Sequence, residues 1–165
     1  MICTSLVVYI YYQTAQKISL SKVLTSKILL SGIFGMLVGV LFQFFMIWLS
    51  HFVIQRTQIP FNMLNQLPIS QGNSWLLLIP IVFVPIMEEC VFRYSMINFL
   101  NQKLPVTFSI LISSLLFALM HGGGHILTYT GLGILFYFIY HYSKSLISPI
   151  IAHVGMNLLV ILFNI

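Results

Sequence analysis

Only two carboxylate side chains occur in this 165-residue chain, and both of them, Glu88 and Glu89, stand side by side in a stretch otherwise apolar enough to cross a bilayer. A carboxylate near the middle of a membrane costs about 2.5–3.5 kcal/mol on insertion scales, so a group placed there is normally kept for proton, ion or chemical work. With 59% hydrophobic and 5% charged residues and a mean hydropathy of +1.04, the chain reads as an integral membrane protein. Backbone polar groups in lipid must be satisfied within the chain. The apolar runs are therefore expected as helices, giving an all-α polytopic protein of roughly five to six membrane segments.

Ile2 to Tyr12 would span about 16 Å as a helix, too little to cross alone. It lacks the basic start and cleavage site of a signal peptide and reads as the tail of a truncated helix. A long run from Ile28 to Ile54 suffices for one tilted span. Its Gly35 and Gly39 have the GxxxG spacing that favours close packing, expected within the chain rather than at a dimer seam. Gln55 to Ser74 is a polar connection. Four further runs follow, Trp75–Leu100, Val106–Met120, Ile126–Tyr140 and Leu146–Ile165. Residues 1–74 thus form N-terminal membrane segments and a loop, and residues 75–165 the core. If the runs alternate in direction, Lys17, Lys22, Lys27, Lys103 and Lys144 fall on one side and Arg56 on the other, which makes the lysine side cytoplasmic. The short chain and lack of targeting signals fit a bacterial plasma membrane. The net charge of +5 is scattered singly, a pattern that marks topology and excludes a nucleic-acid partner. Cys3 and Cys90 make no disulfide framework.

Polar groups recur at one depth. Counting about 1.5 Å per helical residue from the lysine side, Glu88 lies about 22 Å in, His121 about 24 Å, His153 about 13 Å and Asn157 about 20 Å. Three runs therefore bring polar side chains to one level, and a single water-accessible cavity, entered from the lysine side, is the economical way to satisfy them. Glu89 and Arg93 are four apart and can pair along a helix, whereas Glu88, rotated about 100°, needs another partner. His153 and Asn157 share a helix face. His121 precedes Gly122, Gly123 and Gly124, which end its helix, and Phe117 lies one turn before it. His125 is expected to serve the glycine turn, and His51 and His141, at run ends, to sit at the interface.

Glu88-Glu89-Cys90-Val91-Phe92-Arg93 resembles the EExxxR signature of the CAAX protease and bacteriocin-processing family, also called CPBP or Abi. Phe117-Ala118-Leu119-Met120-His121 resembles its FxxxH motif and His153-Val154-Gly155-Met156-Asn157 its HxxxN motif, in the same order. The resemblance covers Trp75 to Ile165. It implies an intramembrane endopeptidase that takes a peptide or prenylated-protein substrate, of the CAAX type or from bacteriocin or pheromone processing. By the same resemblance Glu88 and His121 would activate a water, His153 and Asn157 would stabilise the oxyanion, and Glu89, Arg93 and Phe117 would support the site.

The chemistry is coherent without the family. Peptide hydrolysis needs a base for water, donors for the oxyanion and an acid for the leaving amine, and glutamate, imidazole and amide supply them. Aspartate is absent, as are HExxH and GxSxG, so aspartyl, zincin and serine-elbow plans have no support. Glu88, His121 and His153 could instead form a zinc site of two imidazoles and one carboxylate, the metalloprotease version of the reading. Three other readings stay open at this level: interhelical polar contacts, a proton or ion pathway, and a non-catalytic bacteriocin self-immunity protein on the same fold.

Overall fold

The computed structural model describes residues 25–53, 78–121 and 125–163. The expectations for Ile2–Tyr12, Lys17, Lys22, Cys3, the loop 55–74 with Arg56, the glycines 122–124 and the side chain of His51 lie outside what is described. Within it the protein is all-α, as the runs require, with no strand among the described residues.

Helix α1, Ser26–Val53, begins where Thr25 caps it, its Oγ1 accepting from the Ile28 N–H at 3.4 Å. It is apolar all round and, by length and composition, the one described helix long enough to cross a membrane. Leu30, Phe34, Leu41 and Trp48 point outward from the bundle. Its glycines face inward: a Cβ on Gly32 would stand 2.8 Å from Ile151, and one on Gly35 would collide with Ile139. The GxxxG spacing therefore serves packing inside the chain.

Helix α2 is one continuous run of four stretches, the π-helical Ile79–Phe83, the α-helical Val84–Glu88, the π-helical Glu89–Met96 and the α-helical Ile97–Leu100. Pro80 and Pro85 lack the N–H that an ordinary ladder would use. Wide turns loosen the ladder further on, where side chains cap the carbonyls: Ser113 donates to Phe92 O at 2.6 Å, and Ser95 to Cys90 O at 3.0 Å.

Helix α3, Val106–Met120, starts after Pro105 and buries Ser109, Ser113, Ser114, Phe117 and Ala118. Helix α4, Ile126–Ser143, stops where Lys144 turns left-handed at φ 57°. Helix α5, Ile147–Phe163, carries Pro149 in its first turn, where a missing N–H is harmless. These limits lie close to the apolar runs.

Helices α1 and α5 run parallel, joined at their starts by the Ser148 hydroxyl donating to Ile28 O at 2.9 Å. Helix α4 runs against α1, with Lys27 Nζ 4.6 Å from the Tyr142 ring centroid. Helix α3 runs against α4, with Ser114 beside Gly133 and Phe117 beside Tyr129, so Lys27, Lys103 and Lys144 share one end, as alternation requires. A core of Leu132, Phe136, Ile139, Ala152 and Met156 fills the space between α4 and α5.

Candidate active site

Glu88 and Glu89 stand where α2 passes from an α-helical to a π-helical stretch, and the two carboxylates diverge. Glu89 is wholly buried. Its Oε2 lies 3.1 Å from Nε of Arg93, the intrahelical pair expected from the spacing. That contact is not aligned as a hydrogen bond, and neither Nη of Arg93 finds a hydrogen-bond partner among the described residues. The guanidinium instead lies against aromatic faces, 4.3 Å from the Phe117 centroid and 5.3 Å from that of Phe136. Two aromatic rings and one carboxylate are what make a buried arginine tolerable here.

The other oxygen of Glu89 reaches across to α5, where Oε1 is 2.9 Å from Nδ1 of His153. A carboxylate only accepts, so Nδ1 carries the proton and donates, while the Nε2 edge faces Glu88 Oε2 at 3.7 Å. Phe136 stacks on the imidazole at 4.7 Å and holds its plane. His121, at the end of α3, has its Nδ1 2.8 Å from Phe117 O, an acceptor, so that nitrogen is also protonated. In neutral His121 Nε2 is then an acceptor, facing Glu88 Oε1 at 3.8 Å. Two acceptors at that separation leave room for one water that donates a proton to each from about 2.8 Å.

Glu88, His121, His153 and Asn157, together with Phe117, line one cavity of about 150 Å³. A single water needs roughly 10–15 Å³ by such a measure, so several fit. The expected convergence of three helices on one cavity is thus found. The lining continues past Glu88 to Gln43, Pro80, Val84 and Val160, away from the lysine ends. Towards the lysines the buried Arg93, Phe117 and Phe136 close the floor, because the guanidinium and its aromatic partners fill the space beneath the carboxylates.

Two polar lining residues, Gln43 and Tyr129, were not expected from the sequence. Tyr129 stacks on His121 with centroids 4.2 Å apart, and Gln43 enters from α1. Tyr129 lies four residues after His125 in an ordinary aromatic helix and gave no signal. Gln43 did give one, as the lone amide in a long apolar run. His125 forms the N-cap of α4 and does not line the cavity, and His141 stacks on Tyr137 at the lysine end.

As zinc ligands, Glu88, His121 and His153 are right in kind. His121 Nε2 stands 3.8 Å from one Glu88 oxygen and His153 Nε2 3.7 Å from the other. Among the described residues no three His, Cys, Asp or Glu form a group that could hold a metal ion.

Comparison with known proteins agrees with the motifs. Residues 70–159 match the family model described as Type II CAAX prenyl endopeptidase Rce1-like, a range that contains all three motifs. Over 99 residues the chain is 33% identical to the Bacillus subtilis (strain 168) protein named "Putative membrane peptidase YdiL", which covers 59% of this chain and 41% of that protein. The chain therefore spans less than half the length of that curated relative. No solved structure matches it. The family match takes in more than half of the chain and bears out the resemblance carried by the EExxxR, FxxxH and HxxxN motifs: the chain belongs to the Rce1-like family of CAAX-type membrane endopeptidases.

Proposed function

We propose that the protein hydrolyses a peptide bond inside the membrane with a water activated by Glu88 and His121. The observation that carries this is the gap of 3.8 Å between Glu88 Oε1 and His121 Nε2, two acceptors turned towards each other in a cavity large enough for water. A water bridging them has its lone pairs free. Glu88 takes one proton as the oxygen attacks the scissile carbonyl carbon, then delivers it to the leaving amine as the C–N bond breaks. The oxyanion is met by the Asn157 amide and by His153, which donates from Nε2 when doubly protonated.

The substrate class is an extended peptide, either the C-terminus of a prenylated protein or a bacteriocin or pheromone precursor. The helices cross a bacterial plasma membrane several times, with the lysine ends in the cytoplasm, a reading supported by the shared end of Lys27, Lys103 and Lys144 and by the apolar outer faces of α1 and α3.

The test is Glu88→Gln in purified, detergent-solubilised protein. Cleavage of a farnesylated CAAX peptide or a precursor peptide is expected to fall about 10²–10⁴-fold, the usual worth of a general base. Undiminished turnover refutes the mechanism. Protection of cells from a bacteriocin by Glu88→Gln, without cleavage, moves the protein to the immunity reading.

A further inference from the structure

Between Ser31 and Ser50, α1 carries a single hydrogen-bonding side chain other than the Trp48 indole, and that is Gln43. Counted at about 1.5 Å per residue from Lys27, it lies about 24 Å along the helix, the depth of Glu88 and His121. It lines the cavity with them. An amide in lipid is expected to find a partner on a neighbouring helix. Gln43 makes no hydrogen bond to any described residue, although the buried Ser113 and Ser148 both do. A peptide entering the cavity it lines would offer such a partner.

We propose that Gln43 is a substrate-contact residue whose side-chain amide hydrogen-bonds the main chain of the peptide lying over Glu88. The inference rests on the protease reading and extends it to a helix outside residues 70–159, the span of the family match. Three features of the structure support it. An amide presents a donor and an acceptor in one plane, the complement of a peptide unit in an extended chain, whereas both imidazoles already commit Nδ1, His153 to Glu89 and His121 to the Phe117 carbonyl. Gln43 stands on the side of the cavity away from the buried Arg93, Phe117 and Phe136, with Pro80, Val84 and Val160 as apolar neighbours for a peptide's side chains. Its position is firm, because Gly32 and Gly35 seat α1 directly on Ile151 and Ile139. The amide is thus pre-placed, and little order is lost when the peptide meets it.

The experiment uses the full chain in detergent with an internally quenched farnesylated CAAX peptide and a series of analogues, each with one backbone amide replaced by an ester. Gln43→Leu keeps the bulk and removes both hydrogen-bonding groups. It is expected to lower kcat/KM about tenfold on the parent peptide, the size of one neutral hydrogen bond, mainly through KM and with an unchanged melting temperature. On one ester analogue the wild type should already show that loss, and there Gln43→Leu should add less than about twofold, since the bond is gone from both sides. Gln43→Asn, with a shorter amide, should recover part of the rate. Equal loss on every analogue, or none on any, overturns the assignment. Cleavage that Glu88→Gln abolishes and Gln43→Leu leaves intact overturns the role of Gln43 alone. Failure of the wild type to cleave any of these peptides overturns the protease reading for this substrate class and the role of Gln43 with it.

Discussion

Nδ1 of His153 lies 2.9 Å from Oε1 of Glu89, so the second glutamate of the pair aims the imidazole that the first glutamate faces. Adjacent carboxylates on one helix turn therefore do different work. Glu89, wholly buried, is bound to Arg93 and His153. Glu88, about one-fifth exposed, looks into the cavity.

Conservative amide substitutions should separate the two. Glu88→Gln is expected to fold like the wild type and lose turnover. Glu89→Gln leaves Arg93 buried without its counter-charge, and breaking such a pair commonly costs about 3–5 kcal/mol. Thermal unfolding in detergent beside peptide cleavage distinguishes them, and a fully stable Glu89→Gln contradicts the division.

Arg93→Ala should also lower the yield of folded protein, by a loss of the same order. Arg93→Lys is expected to rescue it poorly, since an ammonium cannot lie flat against Phe117 and Phe136 as the guanidinium does. An Arg93→Ala protein that is stable yet inactive points to direct contact with substrate.

Metal analysis tests the water-activation chemistry. Cleavage should persist in strong chelator, and elemental analysis should find no stoichiometric zinc. Zinc at one equivalent together with chelator-sensitive activity reassigns Glu88, His121 and His153 as ligands that draw together around the ion.

Gly35→Leu probes the seat of α1. The new side chain meets Ile139 and Ala152 at once, and overpacking of this kind typically costs about 1–3 kcal/mol. A lower melting temperature is expected, along with reduced cleavage, because Gln43 rides on the same helix. An unchanged melting temperature means that α1 packs less closely than described.

Read alone, the residues determined whatever depends on neighbours along the chain. Continuous apolar runs became helices with nearly their own limits, as at Val106–Met120, because the backbone in lipid has no other way to satisfy itself. Glu89 and Arg93 met because four residues on a helix bring side chains together. The motifs carried the family, and counting residues along three runs anticipated that Glu88, His121, His153 and Asn157 meet at one cavity. What depends on how each helix is rotated about its axis was decided by tertiary structure. Glu89 and His153 are 64 residues apart, and their contact needs α2 and α5 turned towards each other. Tyr129 became the stacking partner of His121, and Gln43 a wall of the cavity, only once α4 and α1 were seated through contacts such as Gly35 on Ile139. The lining of the cavity extends from Glu88 away from the lysines for the same reason: the space on their side is taken by Arg93 and the two phenylalanines that share its charge, a packing that residue spacing does not encode.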